Sequence, residues 1–416
     1  MSAGALRGWC PGLARPMPTG DGLLVRLHPA GGVLDAAQAR AVADAARAGG
    51  NGLVDVTARG NLQIRGVTAA THPALAAALA AAGLGDARRD GGPQRLTLAP
   101  PFAGPACAAL ARRIEAIGRG VPGLPAKALV ILEEAAGGLG AAEADLRVRC
   151  AAAGPVRIAL AAPDGLAWTR PVAADEAPAA LRRLLEGLAA SGARRVRALS
   201  APERGALAGA ASLAPGDPPP PAAPPLGPGL HALADGRTAL VAELPFGRCG
   251  AGLLARMARW CARHGDGALR LTAARGVAVA CPDAAAAGRL RDAVGEAGLI
   301  VAPGDPRGAV AACPGAPACA SGGTPAQADA GRLAAAFAPL AARGATLHVS
   351  GCPKGCAHPG AADLTLVGQA DGGYRVVLGG DAGAPTALAL AFEAVRERLE
   401  SVDDPSGLRD AFREPA

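Results

Sequence analysis

The sequence repeats itself on either side of a proline-rich run, and this duplication constrains the fold more than any other feature. The run, Leu213-Ala-Pro-Gly-Asp-Pro-Pro-Pro-Pro-Ala-Ala-Pro-Pro-Leu-Gly-Pro-Gly229, suits neither a helix interior nor a central strand. It reads as a stiff, solvated connector over 206–229. Before it, Gly22–Leu27 has the pattern of a strand, Asp35–Ala48 of a helix and Leu53–Arg65 of a hairpin. After it, Thr238–Glu243, Gly252–His264 and Leu269–Ala280 repeat strand, helix and hairpin. Both hairpins place Arg-Gly at the turn, Arg59-Gly60 and Arg275-Gly276. A further helix at 71–83 or 283–297 completes a ferredoxin-like half in each case.

The echo continues downstream. Arg95–Cys107 aligns without a gap to Arg307–Cys319, which sets Cys107 against Cys319 and Pro101 against Cys313. The strand Lys127–Leu132 then parallels Ala345–Val349. The expected architecture is α+β and pseudo-twofold. It comprises a ferredoxin-like half (15–87), an α/β module (88–205), the Pro-rich linker (206–229), a second half (230–300) and a second module (301–416).

Only the second module keeps a full set of metal-binding cysteines. Cys313 and Cys319 are spaced C-x5-C, and Cys352 and Cys356 are spaced C-x3-C. Four soft thiolates on two Gly- and Pro-rich loops suit a 4Fe–4S cluster, whose sulfurs the loop amides can steady. Structural zinc is the main competitor, but its paired ligands are usually two to four residues apart. Cys10, Cys107, Cys150, Cys249, Cys261 and Cys281 are scattered and read as ordinary buried thiols. Ten cysteines in 416 residues are too few for a disulfide scaffold. The N-terminus lacks the apolar core of a signal peptide, and no run reads as a membrane span. A cytoplasmic protein is expected.

The formal charge of +7 suits an anionic partner. Nucleic acid is disfavoured, because nine aromatic residues leave little to stack on bases and no dense basic block occurs. Lys127 and Lys354 are the only lysines. The remaining cations are arginines, which grip carboxylates bidentately.

The C-x5-C and C-x3-C set, Thr57-Ala-Arg-Gly-Asn-Leu-Gln63, the segment from Arg95 to Gly104 and Leu124-Pro-Ala-Lys127 resemble the sirohaem nitrite and sulfite reductase superfamily. Within it, Arg7-Gly-Trp-Cys-Pro-Gly12 and Ser350-Gly-Cys-Pro-Lys-Gly-Cys-Ala-His-Pro359 look most like the precorrin-3B synthase family. That resemblance implies an oxidoreductase of aerobic cobalamin biosynthesis, a monooxygenase that hydroxylates precorrin-3A at C20 and closes a γ-lactone. It implies a 4Fe–4S cluster on Cys313, Cys319, Cys352 and Cys356, a further non-haem iron of unassigned ligands, dioxygen, and electrons from NADH by way of a donor protein. Carried over by motif, Arg59, Arg95 and Lys127 hold the carboxylate arms of the tetrapyrrole. Cys356 lies nearest the chemistry, and Lys354 and His358 are the catalytic candidates. His358 suits iron binding or proton transfer, and equally a bond to its own loop.

One departure matters. The reductases carry a second cation two residues past the lysine, where this chain has Leu129. That loss favours a tetrapyrrole that leaves after turnover over a resident sirohaem, unless Arg147 or Arg149 substitutes. A sirohaem-dependent nitrite or sulfite reductase, and a non-catalytic electron carrier or tetrapyrrole-binding protein, are the alternatives.

Overall fold

The computed structural model describes residues 9–140 and 142–413, so Arg7 and Gly8 of the N-terminal motif lie outside it. The first half runs β1 (Met17–Thr19), β2 (Gly22–Leu27), β3 (Val33–Asp35), α1 (Ala36–Gly49), β4 (Leu53–Val56), β5 (Leu62–Val67) and α2 (His72–Ala81). Asp35 starts α1 with a reciprocal cap: its carboxylate accepts from Gln38 N at 2.7 Å, and the Gln38 side chain accepts from Asp35 N. The first module follows with β6 (Thr97–Leu98), α3 (Pro105–Arg119), β7 (Val130–Glu133), β8 (Leu146–Arg149), β9 (Arg157–Ala162), β10 (Gly165–Trp168), α4 (Ala177–Ala190) and α5 (Ala201–Ala210).

The second half contains β11 (Gly229–Ala232), β12 (Thr238–Glu243), β13 (Arg248–Gly250), α6 (Ala251–His264), β14 (Ala268–Leu271), β15 (Gly276–Cys281) and α7 (Ala284–Glu296). The second module contains β16 (Val310–Ala312), α8 (Ala326–Ala336), α9 (Ala338–Ala341), β17 (Leu347–Ser350), β18 (Ala362–Gly368), β19 (Tyr374–Gly380), β20 (Ala389–Leu390), α10 (Phe392–Glu400) and α11 (Leu408–Ala411).

The two halves exchange strands. One sheet is ordered β1-β2-β5-β4-β13 and the other β11-β12-β15-β14-β3, so each half lends its partner a three-residue edge strand. In the first sheet, Arg248 pairs in register with Asp55, and its guanidinium meets that carboxylate at 2.5 and 3.1 Å. Helices α1 and α6 bury their small apolar faces in one core that takes residues from both halves, including Val42, Ile64, Leu254 and Val279.

The modules share one topology. Sheets β6-β7-β8-β9-β10 and β16-β17-β18-β19-β20 each pair two steps in parallel and two antiparallel, and each has its own core. The fold is the duplicated α+β architecture read from the sequence, with three departures in detail. Helix α5 continues to Ala210, inside the expected linker. The proline run is not free in solvent: Arg149 and Arg157 donate to the carbonyls of Pro220 and Asp217, and Ala223 N donates to Ala135 O. The gapless register also fails at Cys107, because the segment after β6 is short and enters α3 at Pro105. Cys107 is therefore a buried helical thiol hydrogen-bonded to Cys150, whereas Cys319 sits in a longer loop before α8.

Arg65, on β5, links the exchanged sheet to the second module. It makes two 3.0 Å bonds to Asp21, lies 3.6 Å from Asp55 and donates to Ala318 O. Its side chain is 3% exposed. Removing one partner of a buried ion pair strands the other, so Arg65→Ala is expected to destabilise the protein by about 3–5 kcal/mol. Chemical denaturation measures the loss; an unchanged midpoint contradicts it.

Candidate active site

The two cysteine loops leave the ends of adjacent parallel strands, β16 and β17, which carries the widely separated cysteine pairs to one place. Cys313 N donates to Val349 O, Gly323 N to Gly351 O, and the Cys313 sulfur accepts from Gly351 N at 3.1 Å. Lys354 Nζ donates to Ser321 Oγ at 3.1 Å, tying the second loop to the first. The loops approach too closely for side chains: a Cβ on Gly351 would lie 2.9 Å from Gly315 Cα. Gly315, at φ +65°, takes a left-handed turn that suits glycine.

Two of the four thiols are shifted by their surroundings. Cys313 is raised by burial first, then by Cys352 and Cys319, against the lowering N–H groups of Gly351 and Gly315. Cys356, the exposed member, is also raised, by partial desolvation and then by Cys352, Cys313 and Cys319. Four cysteines on two adjoining loops, one sulfur accepting a backbone N–H, are a donor set whose chemistry suits a 4Fe–4S cluster. Among the described residues, no three His, Cys, Asp or Glu side chains converge as ligands of a single metal ion.

Beside these loops lies a cleft of about 460 Å³. Ala58 and Ala273–Arg275, from the two hairpin tips, form one side, β16 lines the floor, and Ala357–Pro359 form the other side. His358 lines it and bonds Ala361 O through Nε2 at 3.0 Å. A carbonyl only accepts, so Nε2 carries the proton and Nδ1 holds the lone pair. His348 meets this ring edge-on, with centroids 5.7 Å apart. It is fully buried, with neither nitrogen partnered, and its pKa falls to about 4 through burial, His358 and Arg275.

The basic residues gather around the first hairpin. Arg95, on the approach to β6, is buried and donates to Gly60 O at 2.8 Å. A Cβ on Gly32 would lie 2.9 Å from its Nη1, so glycine makes room for this arginine. Burial lowers Arg95 to about 10. Arg59 donates to Lys127 O at 3.2 Å. The Lys127 ammonium stands exposed, and only its carbonyl joins this network. Arg26 and His28, neither singled out in the sequence, complete the group: burial and then Arg26, Arg95 and Arg59 lower His28 to about 3. Arg59, Arg95 and Lys127 thus share a neighbourhood, but none of them lines the 460 Å³ cleft, whose cations are Arg275 and Arg307.

The Arg-Gly pairs do not superpose. Thr57 and Thr272 open equivalent turns, with bonds from Gly60 N to Thr57 O and from Arg275 N to Thr272 O, so Gly60 is the counterpart of Arg275. Arg275 takes φ +60° and donates to Ala357 O beside the cluster loop. No periodicity marks such a residue; only its equivalence to a glycine would have revealed it.

Residues 15–82 match the nitrite/sulfite reductase ferredoxin-like half domain. Over 91% of this chain the fold resembles that of Mycobacterium tuberculosis NirA, with a TM-score of 0.71, 20% identity and 79% of that chain covered. A segment of 42 residues, 10% of this chain and 7% of the relative, is 50% identical to the sulfite reductase [NADPH] hemoprotein beta-component of Xylella fastidiosa. The similarity to precorrin-3B synthase of Sinorhizobium sp runs instead through nearly the whole molecule: 35% identity over 412 residues, covering 92% of this chain and 85% of the relative. A match of that identity and extent includes both halves and both modules, and the chain belongs to the precorrin-3B synthase family, within the nitrite/sulfite reductase superfamily.

Proposed function

We propose that this protein is a monooxygenase that converts precorrin-3A to precorrin-3B in aerobic cobalamin biosynthesis. The observation that carries the reading is the 35% identity to precorrin-3B synthase over 92% of this chain, supported by two adjoining cysteine loops and by arginines gathered at the first hairpin. In the overall reaction one atom of dioxygen becomes the C20 hydroxyl. The other leaves as water with two protons and two electrons, which we assign to NADH through a donor protein. The ring-A acetate carboxylate adds to the macrocycle carbon beside C20 and closes the γ-lactone, consuming the π bond that oxygenation at C20 opens.

The chain's own residues bind and orient. Arg59 and Arg95 hold carboxylate arms through charge-assisted bonds, and the exposed Lys127 reaches an outer arm. The alanine-rich cleft walls offer the macrocycle an apolar face. His358, with its lone pair at Nδ1, accepts a proton, and Lys354 holds the two cysteine loops together. A 4Fe–4S cluster on Cys313, Cys319, Cys352 and Cys356 would supply single-electron transfer.

Two expected outcomes test this reading. Cys319→Ser should lose most iron and sulfide and the broad cluster absorbance, while Cys107→Ser in the first module retains them; equal iron content in both variants contradicts the ligand set. Reconstituted enzyme given precorrin-3A, reductant and labelled dioxygen should place one labelled atom at C20. Stoichiometric sirohaem with nitrite or sulfite reduction, and no label in the tetrapyrrole, would establish a reductase instead.

A further inference from the structure

The position of the missing cation, Leu129, is buried in an apolar set with Leu98 and Ile131. The substitutes suggested by sequence are engaged elsewhere. Arg147 meets Glu133 at 2.7 Å, and Arg149 lies 3.5 Å from the same carboxylate and donates to Pro220 O. Arg195 is differently placed. Its Nε donates to Asp145 Oδ1 at 3.1 Å, while Asp145 Oδ2 accepts from Leu129 N at 3.0 Å. Asp145 therefore fastens Arg195 to the backbone of the residue that lacks the charge.

Arg195 also converges with Arg59. Its Nη1 lies 3.4 Å from Lys127 O, the carbonyl that accepts from Arg59 at 3.2 Å. Arg195 Nη2 is buried without a partner, and so are Asn61 Oδ1 and His28 Nδ1. The carboxylates near Arg59 are Asp145 and Glu143, which are already paired with Arg195 and Arg197. Two adjacent like charges and an unpartnered donor are unfavourable alone, and an incoming anionic oxygen relieves both.

We propose that Arg195 is a substrate-binding residue that forms, with Arg59, a two-guanidinium clamp on one carboxylate arm of the tetrapyrrole, in place of the cation absent at Leu129. This rests on the tetrapyrrole reading above. The probe is uroporphyrin III, a stable octacarboxylate, titrated by fluorescence against the full chain. Arg195→Gln keeps an amide donor towards Asp145 without the charge. It should weaken binding about 10- to 150-fold, the loss of one charge-assisted bond, and flatten the ionic-strength dependence, with a lower Tm because the buried Asp145 loses its charged partner. In the unmodified protein, bound uroporphyrin should protect Arg195 from phenylglyoxal, read by peptide mass spectrometry, a measurement that needs no variant to fold. Wild-type affinity in the variant, or unprotected Arg195 in the complex, overturns the clamp and leaves the tetrapyrrole reading standing. Failure of the unmodified protein to bind uroporphyrin III or precorrin-3A overturns both.

Discussion

The reciprocal loan of β3 and β13 is the constraint on which the rest of the molecule depends. A three-residue strand contributes little by itself, but here each lies between a turn and the first residue of a long helix, so placing the strand also places α1 or α6. The helices then meet across the pseudo-twofold, and Val42, Ala46, Leu254 and Ala258 join one core. Neither half can be withdrawn without opening the other's sheet edge and exposing that core. The exchange also brings the two hairpin tips together: Ala58 and Ala273 line the same cleft, and Ala273 packs against the first module.

On this frame the two modules hold opposite chemistries at equivalent places. Past β17 the chain provides Cys352 and Cys356 on a glycine-bearing loop, and past β16 it allows twelve residues after Cys313 before α8. At the end of β7 and just past it the first module carries Glu133 and Glu134 and no cysteine pair. Glu133 is neutralised by Arg147 and Arg149, and Glu134 accepts from Gly104 N at the start of α3. Carboxylates with arginine and amide partners are satisfied without a metal. In the second module burial first, and then neighbouring thiols, raise Cys313 and Cys356.

Much of this was legible because it is local or repeated. Strand periodicity, the helix from Asp35 and the spacing of Cys313, Cys319, Cys352 and Cys356 are written in neighbouring residues. The exchanged strands were not legible, since Val33–Asp35 and Arg248–Gly250 are too short to show a period. Gapless alignment failed at Cys107, where one loop shortened while flanking prolines and alanines kept a superficial match. Arg26, His28 and Arg195 escaped notice because their meeting with Arg59 is made by long-range packing, and an arginine in an Arg-rich chain carries no signal of its own.

The hairpin turns show how duplication and divergence produce a site. Both need one residue in the left-handed region, and glycine takes it without strain. The first repeat uses Gly60, and a Cβ there would lie 3.4 Å from Arg95 Nη2 and 3.2 Å from Leu271 O, so the small residue lets the buried arginine reach the turn. The second repeat places Arg275 at φ +60°, a conformation that costs a non-glycine residue about 1 kcal/mol or more. Gly247 accommodates it, since a Cβ there would fall 2.9 Å from Arg275 Cδ. In return the guanidinium reaches Ala357 O and lies close enough to Cys313 and Cys356 to be influenced by them. One turn geometry thus serves two ends: with glycine it admits Arg95 to the arginine group at the first hairpin, and with a strained arginine it delivers a cation towards Cys313 and Cys356. The pseudo-twofold supplies both positions, and the side chain at that single φ decides which chemistry each one carries.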